Sequence, residues 1–246
     1  MKEQKSTENS SLDQSRSMGA IATLAGGIAH QFNNALLGIA GNIDLLSVDL
    51  PEDKHIEKYL EPMKSSVRRM TQLTDQLLAY ARGGKYQPKN ISLINLVQKT
   101  LPTLRRKLEP SISVEAALHE NTPNVEADSA QMEMVLSALV TNAAEAIKGS
   151  GHITILTSKH GGGGNDAQFK PGPCACLEIR DSGQGMTEET RSRIFEPFFS
   201  TKFHGRGLGM AAVFGVVQNH QGWISVQSSP GQGTRVSIYL PALELQ

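Results

Sequence analysis

Between Asp181 and Gly209 this chain sets out, in order, an acidic residue among glycines, an aromatic segment and a second glycine-rich run. The first is Asp181-Ser-Gly-Gln-Gly-Met186, the second Arg193-Ile-Phe-Glu-Pro-Phe-Phe-Ser-Thr-Lys202, the third Gly205-Arg-Gly-Leu-Gly209. Asp181 follows a short apolar run, so its carboxylate stands at a strand end where it can accept a hydrogen bond. Gly183 and Gly185 leave the backbone bare beside it. The third run opens an apolar helical segment, and bare amides at the positive end of a helix dipole favour a polyphosphate. The order fits a nucleotide site with a movable flap around Phe195. The glycine triplet follows that flap rather than the first strand of a βαβ unit, which argues against a dinucleotide fold.

At 246 residues the chain is long enough for one large domain or two small ones. Lysine plus arginine equals aspartate plus glutamate, 24 each, so no net field favours nucleic acid or anionic lipid. No apolar run approaches the roughly 20 residues of a spanning helix, and the N-terminus lacks the apolar stretch of a signal peptide. A soluble, cytoplasmic protein with no nucleic-acid partner is expected. Cys174 and Cys176 form a Cys-x-Cys pair with no second pair to complete a metal site, and read as strand residues.

Two periodicities divide the chain. Residues 1–17 are polar and serine-rich, a disordered stretch or linker. From Met18, Ile21, Ala25, Ile28, Phe32, Ala35, Ile39, Ile43 and Leu46 recur every three or four residues, as in a coiled-coil seam. Pro51 interrupts it, and a second helix carries Ile56, Leu60, Met63, Val67, Met70, Leu77 and Ala81 before Gly83-Gly84. Two antiparallel helices cannot bury such seams alone, so a four-helix bundle in a homodimer is predicted for residues 18–84. Over residues 90–241 the reading is an α+β layer. Helices are predicted at 93–108, 129–148 and 210–220, strands at 111–118, 152–158, 176–180, 223–228 and 234–240, and a flexible loop at Gly161–Gly164.

His30 lies two residues from both Ile28 and Phe32, roughly 200° round the helix from each, so it faces away from the seam. Periodicity alone makes it a surface histidine. Its setting, Gly26-Gly-Ile-Ala-His-Gln-Phe-Asn-Asn34, resembles the phospho-acceptor box of two-component sensor histidine kinases, in the form found in soluble, often PAS-linked members. The resemblance runs from about residue 18 to 241. It implies that His30 is the phosphorylated residue. Most relatives carry an acidic residue directly after that histidine. Here Gln31 can hold the ring tautomer but cannot take a proton, so a weakened kinase step is expected. Asn34, one turn on and about 40° away, matches the position that orients water for dephosphorylating the partner in related kinases.

The C-terminal boxes resemble the Bergerat-type ATP-binding domain shared by these kinases with gyrase and chaperone ATPases. On Leu139-Val-Thr-Asn-Ala-Ala-Glu-Ala-Ile147 the resemblance makes Asn142 the Mg²⁺ ligand, with Glu145 on a metal-bound water. Asp181 would take the adenine amino group, with Gly183 and Gly185 beside the base. Phe195 would help latch the lid, and Thr201 and Lys202 would approach the phosphates. Gly205, Gly207, Leu208 and Gly209 would cradle them, and Thr234 belongs to the terminal glycine box Ser229-Pro-Gly-Gln-Gly-Thr-Arg235. The ATPases place a glutamate base four residues before the metal asparagine. Ala138 stands there, which argues for transfer to histidine rather than to water.

The resemblance implies an α+β chain of two domains that uses ATP and Mg²⁺ to phosphorylate His30 and pass the phosphoryl group to an aspartate of a response-regulator receiver domain. The alternative is a regulatory member of the same fold that acts mainly as phosphatase of its receiver. A third reading is a dimeric scaffold with a vestigial site.

Overall fold

The computed structural model describes residues 32, 34–48, 54–80, 86–161, 172–202 and 207–243. The chain forms two compact units, Met1–Gly84 and Lys85–Gln246.

The first unit contains helix α1 (34–48) and helix α2 (Lys54–Tyr80). Its polar helix residues are absorbed locally. Ser47, Ser66 and Thr71 return their hydroxyls to carbonyls one turn back, at 2.9, 2.8 and 3.1 Å. The Ser66 bond falls on Pro62, which α2 accommodates in its interior. Within one chain the predicted seam is only partly covered. Ile43 and Leu60 are buried, whereas Phe32, Ile39, Met63 and Met70 remain 43–52% exposed. Leu36, which the predicted seam omits, is 3% exposed and joins Ile43 seven residues on. The inward stripe is therefore rotated from the predicted one, and the expected seam residues Ala35, Ile39 and Leu46 are exposed on α1.

The second unit is a sheet covered by helices. Its elements are β1 (Lys89–Ile91), α3 (Leu93–Lys107), β2 (Ile112–Leu118), β3 (Val125–Ala127), α4 (Ser129–Ala146), β4 (Gly151–Gly161), β5 (Pro173–Asp181), α5 (Glu188–Arg193), α6 (Gly209–Asn219), β6 (Trp223–Ser228) and β7 (Thr234–Pro241). The main sheet has the order β2-β4-β5-β7-β6. Its β2–β4 pair is parallel and its other pairs antiparallel. Helix α4 packs on β5 and β4, and α6 on α4 and β6.

Alternation on β4 and a run buried on both faces of β5 build the layer. Ala175, Leu177 and Ile179 of β5 are at most 2% exposed, as are Ile153 and Ile155 of β4. Met132, Val135, Leu136 and Leu139 form the buried stripe of α4. Each such aliphatic side chain contributes about 1.5–3 kcal/mol on leaving water. The helix starts are sealed by their own side chains. Ser92 accepts the Asn95 N–H at 3.3 Å, and one Asp128 carboxylate oxygen accepts the N–H groups of Ala130 and Gln131 at 2.9 and 3.1 Å.

Cys174 and Cys176 lie on β5 as free, buried thiols. Burial, with the Glu178 charge adding to it, pushes the Cys176 thiol up to about 12, so it stays protonated. On the neighbouring strands, Tyr239 of β7, opposite Cys176, stacks with Trp223 of β6 at 5.0 Å between ring centroids.

Three elements lie outside the predicted set. Strands β1 and β3 pair antiparallel, Lys89 opposite Ala127 and Ile91 opposite Val125, and α5 occupies the first part of the flap.

Candidate functional site

Asp181 ends the central strand β5, in register with Ile153 on β4 and Thr234 on β7. One of its carboxylate oxygens accepts the N–H of Gly183 at 2.8 Å. Burial pushes the carboxyl above its ordinary range. The N–H groups of Gly183 and Thr234, then the Lys202 charge, pull it back part of the way. The result is a half-buried acceptor with one oxygen committed to the backbone.

The loop after Asp181 is clamped on two sides. The Gln184 N–H donates to the Ala146 carbonyl at 3.0 Å, and the Gln184 carbonyl accepts from Gly231 at 2.7 Å. The Met186 N–H donates to the Ser228 hydroxyl at 2.9 Å, and that hydroxyl bonds the Gly233 carbonyl at 3.0 Å and meets the Thr234 hydroxyl at 2.9 Å. Gly185 has φ +65°, and a Cβ there would fall 1.9 Å from the Ser229 carbonyl oxygen. Only glycine fits. Ser228 was not among the expected residues, and nothing in its sequence neighbourhood sets it apart.

The last two turns of α4 supply the second half of the site. Asn142 is half-buried, and a Cβ on Gly209 would lie 3.9 Å from its amide nitrogen. The N-terminus of α6 thus begins beside Asn142. Leu208 precedes it without a side-chain cap hydrogen bond, so no side chain seals the first amides of α6. Three residues on from Asn142, Glu145 forms an ion pair with Lys202 from the flap.

The flap begins with α5, whose N-cap is the Thr187 hydroxyl. Phe195 tilts against Phe214 of α6, ring centroids 5.3 Å apart, and the Arg193 guanidinium lies 4.3 Å from the centre of the Phe199 ring. Phe195 thus ties the flap to α6, whereas the Arg193–Phe199 contact lies within the flap itself. Phe198 is 69% exposed and left-handed, φ +66°. Its N–H donates to the Gly207 carbonyl at 3.0 Å, which ties the two ends of the flap segment together. Gly207 is also left-handed, φ +65°, and a Cβ there would meet the Phe198 carbonyl carbon at 2.3 Å.

The structure therefore brings Asn142, Glu145, Lys202, Leu208 and Gly209 together around the end of α4. It sets Asp181, Gly183, Gly185 and Thr234 around the end of β5. The two groups meet at Ala146, which accepts from Gln184 one residue after the Glu145 ion pair. Thr201 is exposed next to Lys202, and Asn34 is exposed on α1. His30, Gln31 and Gly205 lie outside the described residues.

A buried cluster that the sequence does not announce sits at the opposite ends of α4 and α6. His220 is 4% exposed; its Nε2 accepts the Asp128 N–H at 2.9 Å and its Nδ1 lies 2.8 Å from the Val216 carbonyl. That pattern requires the neutral Nδ1–H tautomer. Burial accordingly pushes the imidazole below its ordinary value, with the Val216 carbonyl and the Asp128 charge opposing. The second Asp128 oxygen accepts the Gln87 N–H at 2.9 Å, and the Tyr86 ring meets His220 edge-on at 5.1 Å.

The donor set suits a nucleotide with a hard divalent cation: a carboxylate for an exocyclic amine, amide and carboxylate oxygens on α4, an ammonium on the flap, and backbone amides at α6. No group of three or more His, Cys, Asp or Glu side chains able to hold a metal ion occurs among the described residues. A metal at Asn142 would take its remaining oxygens from the nucleotide and water, as Mg²⁺ commonly does.

A family model described as histidine kinase-, DNA gyrase B-, and HSP90-like ATPase matches residues 127–244, and another described as His Kinase A (phospho-acceptor) domain matches residues 20–85. The chain belongs to the two-component sensor histidine kinases. It is 33% identical to the sensor kinase CckA of Brucella abortus over 98% of this chain and 26% of that protein. It is 30% identical to the sensor histidine kinase ZraS of Klebsiella oxytoca over 90% of this chain and 46% of that protein. The chain thus spans less than half of either relative. Among solved structures, the mycobacterial sensor histidine kinase MprB superposes with a TM-score of 0.52 at 27% identity, over 65% of this chain and 99% of that one. The full-length ShkA structure in complex with AMPPNP shares the fold, with a TM-score of 0.73 over 90% of this chain and 46% of that one, at 21% identity.

Proposed function

We propose that this chain is the catalytic core of a protein-histidine kinase that binds ATP with Mg²⁺ in residues 90–241 and phosphorylates His30 in the helical unit, residues 18–84. The observation that carries the reading is the convergence at the end of α4. There Asn142 stands beside the first turn of α6, and the flap lysine reaches the same helix one turn on. Asp181 accepts the adenine amino group with the oxygen that Gly183 leaves unused. The α6 amides and Lys202 hold the phosphates, and Asn142 supplies an oxygen to the metal. Mg²⁺, when bound, neutralises charge on the phosphate oxygens.

In the transfer, an imidazole nitrogen of His30 attacks the γ-phosphorus. The bond from that phosphorus to the β,γ-bridging oxygen breaks, and ADP leaves with the electron pair. Gln31 holds the ring tautomer but accepts no proton, and Asn34 positions water for the reverse duty of clearing the receiver. Ala138 offers no base to activate water at the nucleotide, which favours the kinase over an ATPase. The phosphoryl group then passes to an aspartate of a response-regulator receiver domain. The exposed apolar residues of α1 and α2 support a homodimer, and the use of ATP suits the cytoplasm. Among the described residues no helix is long and apolar enough to cross a membrane.

The test is incubation with γ-labelled ATP and Mg²⁺. Acid-labile, base-stable label is expected on the native protein and none on His30→Gln, which should keep its ATP affinity. Label persisting on His30→Gln would move the acceptor elsewhere.

A further inference from the structure

We infer that the Glu145–Lys202 ion pair makes nucleotide binding conditional on the divalent cation, with Glu145 discriminating metal-loaded from metal-free nucleotide. The inference rests on the ATP reading above. Lys202 is the flap residue expected to meet the phosphates, yet here it pairs with Glu145, one helical turn from Asn142. Its own backbone N–H is taken by the Ser200 hydroxyl at 3.1 Å, which fixes the turn that presents the side chain to α4.

Two opposite charges therefore share one corner with Asn142. A polyphosphate that enters must draw Lys202 from Glu145. Once it does, the Glu145 carboxylate faces the phosphates with no cation of its own, and the like charges repel. A divalent cation at Asn142 removes the conflict, because it can attract both the phosphate oxygens and the Glu145 carboxylate. Metal-free nucleotide has one ammonium to share between two anions. The pair is about half exposed, with side-chain accessibilities of 36% for Lys202 and 51% for Glu145. Its grip is correspondingly modest, which suits a contact that must exchange partners. Glu145 acts here as a specificity residue, since the charge it carries matters only when Lys202 leaves.

The experiment measures ATP affinity by calorimetry in Mg²⁺ and in EDTA for the native protein, Glu145→Gln, Glu145→Asp and Lys202→Met. Circular dichroism checks the fold of each variant. In Glu145→Gln, metal-free binding should tighten by about threefold or more, the scale of an exposed charge pair. The ratio of the EDTA to the Mg²⁺ dissociation constant should fall by at least that factor, because the metal-loaded state loses its attraction to the carboxylate. Glu145→Asp, which keeps the charge, should keep most of the native ratio. Lys202→Met should weaken binding in both media, and the double variant Glu145→Gln/Lys202→Met should recover part of the metal-free loss. An unchanged ratio in Glu145→Gln, or weaker metal-free binding, overturns the inference. If the native protein binds no ATP in either medium, it is the ATP reading that fails instead.

Discussion

A Cβ placed on Gly233 would lie 1.9 Å from the carbonyl oxygen of Asp181. The turn between β6 and β7 is therefore pressed against the strand end that carries the site's acidic residue, and Gly233 adopts φ +73° to make the approach. Gly231, two residues earlier, has φ +76° but open space around its Cβ position. The pair separates backbone conformation from close packing.

Gly233→Ala should destabilise the second unit by about 3 kcal/mol or more, whereas Gly231→Ala should cost only about 1 kcal/mol, the price of a left-handed alanine. Urea unfolding of both variants checks the difference. Equal losses would mean that conformation alone governs the turn.

Asp181→Asn should abolish ATP binding yet leave thermal stability unchanged or raised. Burial lifts the Asp181 carboxyl above its ordinary range, so the folded state is penalised once pH rises through that lifted value and the group ionises. Asparagine removes that penalty and still accepts the Gly183 N–H, but turns a donor toward the adenine amine. Calorimetry for binding and a melting curve at pH 7.5 (roughly neutral conditions, where a carboxylate ordinarily ionises) read the two effects separately. Retained affinity would overturn the adenine assignment.

His220 predicts acid sensitivity with a defined sign. Its folded value is depressed, so its contribution is intact above the ordinary histidine value of about 6.5 and is lost as pH falls through the lower folded one. Protonated Nε2 cannot accept the Asp128 N–H. His220→Gln should cost about 1–2 kcal/mol at neutral pH and flatten this part of the profile. Melting temperatures from pH 5 to 8, about the range in which histidine titrates, test it. An equal slope in the variant would place the acid response elsewhere.

Gln31→Glu should speed autophosphorylation. A positioned general base contributes about 10²–10⁴-fold; since the proposed role of Gln31 is already to orient the ring, the gain should fall at or below the lower end. ATP affinity should hold. Kinase and phosphatase rates need separate measurement, because the new acid could also work with Asn34. A slower kinase step would mean that glutamine is adapted to its place.

Most of the second unit is legible from period alone. The predicted strand 176–180 falls inside β5 but misses its first three residues, 234–240 gives β7 to within one residue, and β6 matches at both ends. The helices α3, α4 and α6 begin and end within two residues of the expected bounds. Strands β1 and β3 were not legible, because three residues cannot display a period and their pairing joins segments far apart in sequence. Helix α5 hid inside a segment read as flap. The site was readable as four boxes, each with its own local chemistry, but not as contacts. Glu145 meets Lys202 across 57 residues, and the Asp128 N–H meets His220 across 92. No local pattern encodes such a meeting; the order of strands in the sheet does.

Helices α4 and α6 pack together, and the C-terminal turns of one lie beside the N-terminal turn of the other at Asn142 and Gly209. One helix thus ends in carbonyls where its neighbour starts in amides, and the corner carries roughly half a negative charge and half a positive one side by side. Such a corner has no net preference for an anion or a cation arriving alone. It is matched to a salt, an anion with its metal attached, and that match is written into the opposite directions in which two apolar helices happen to run.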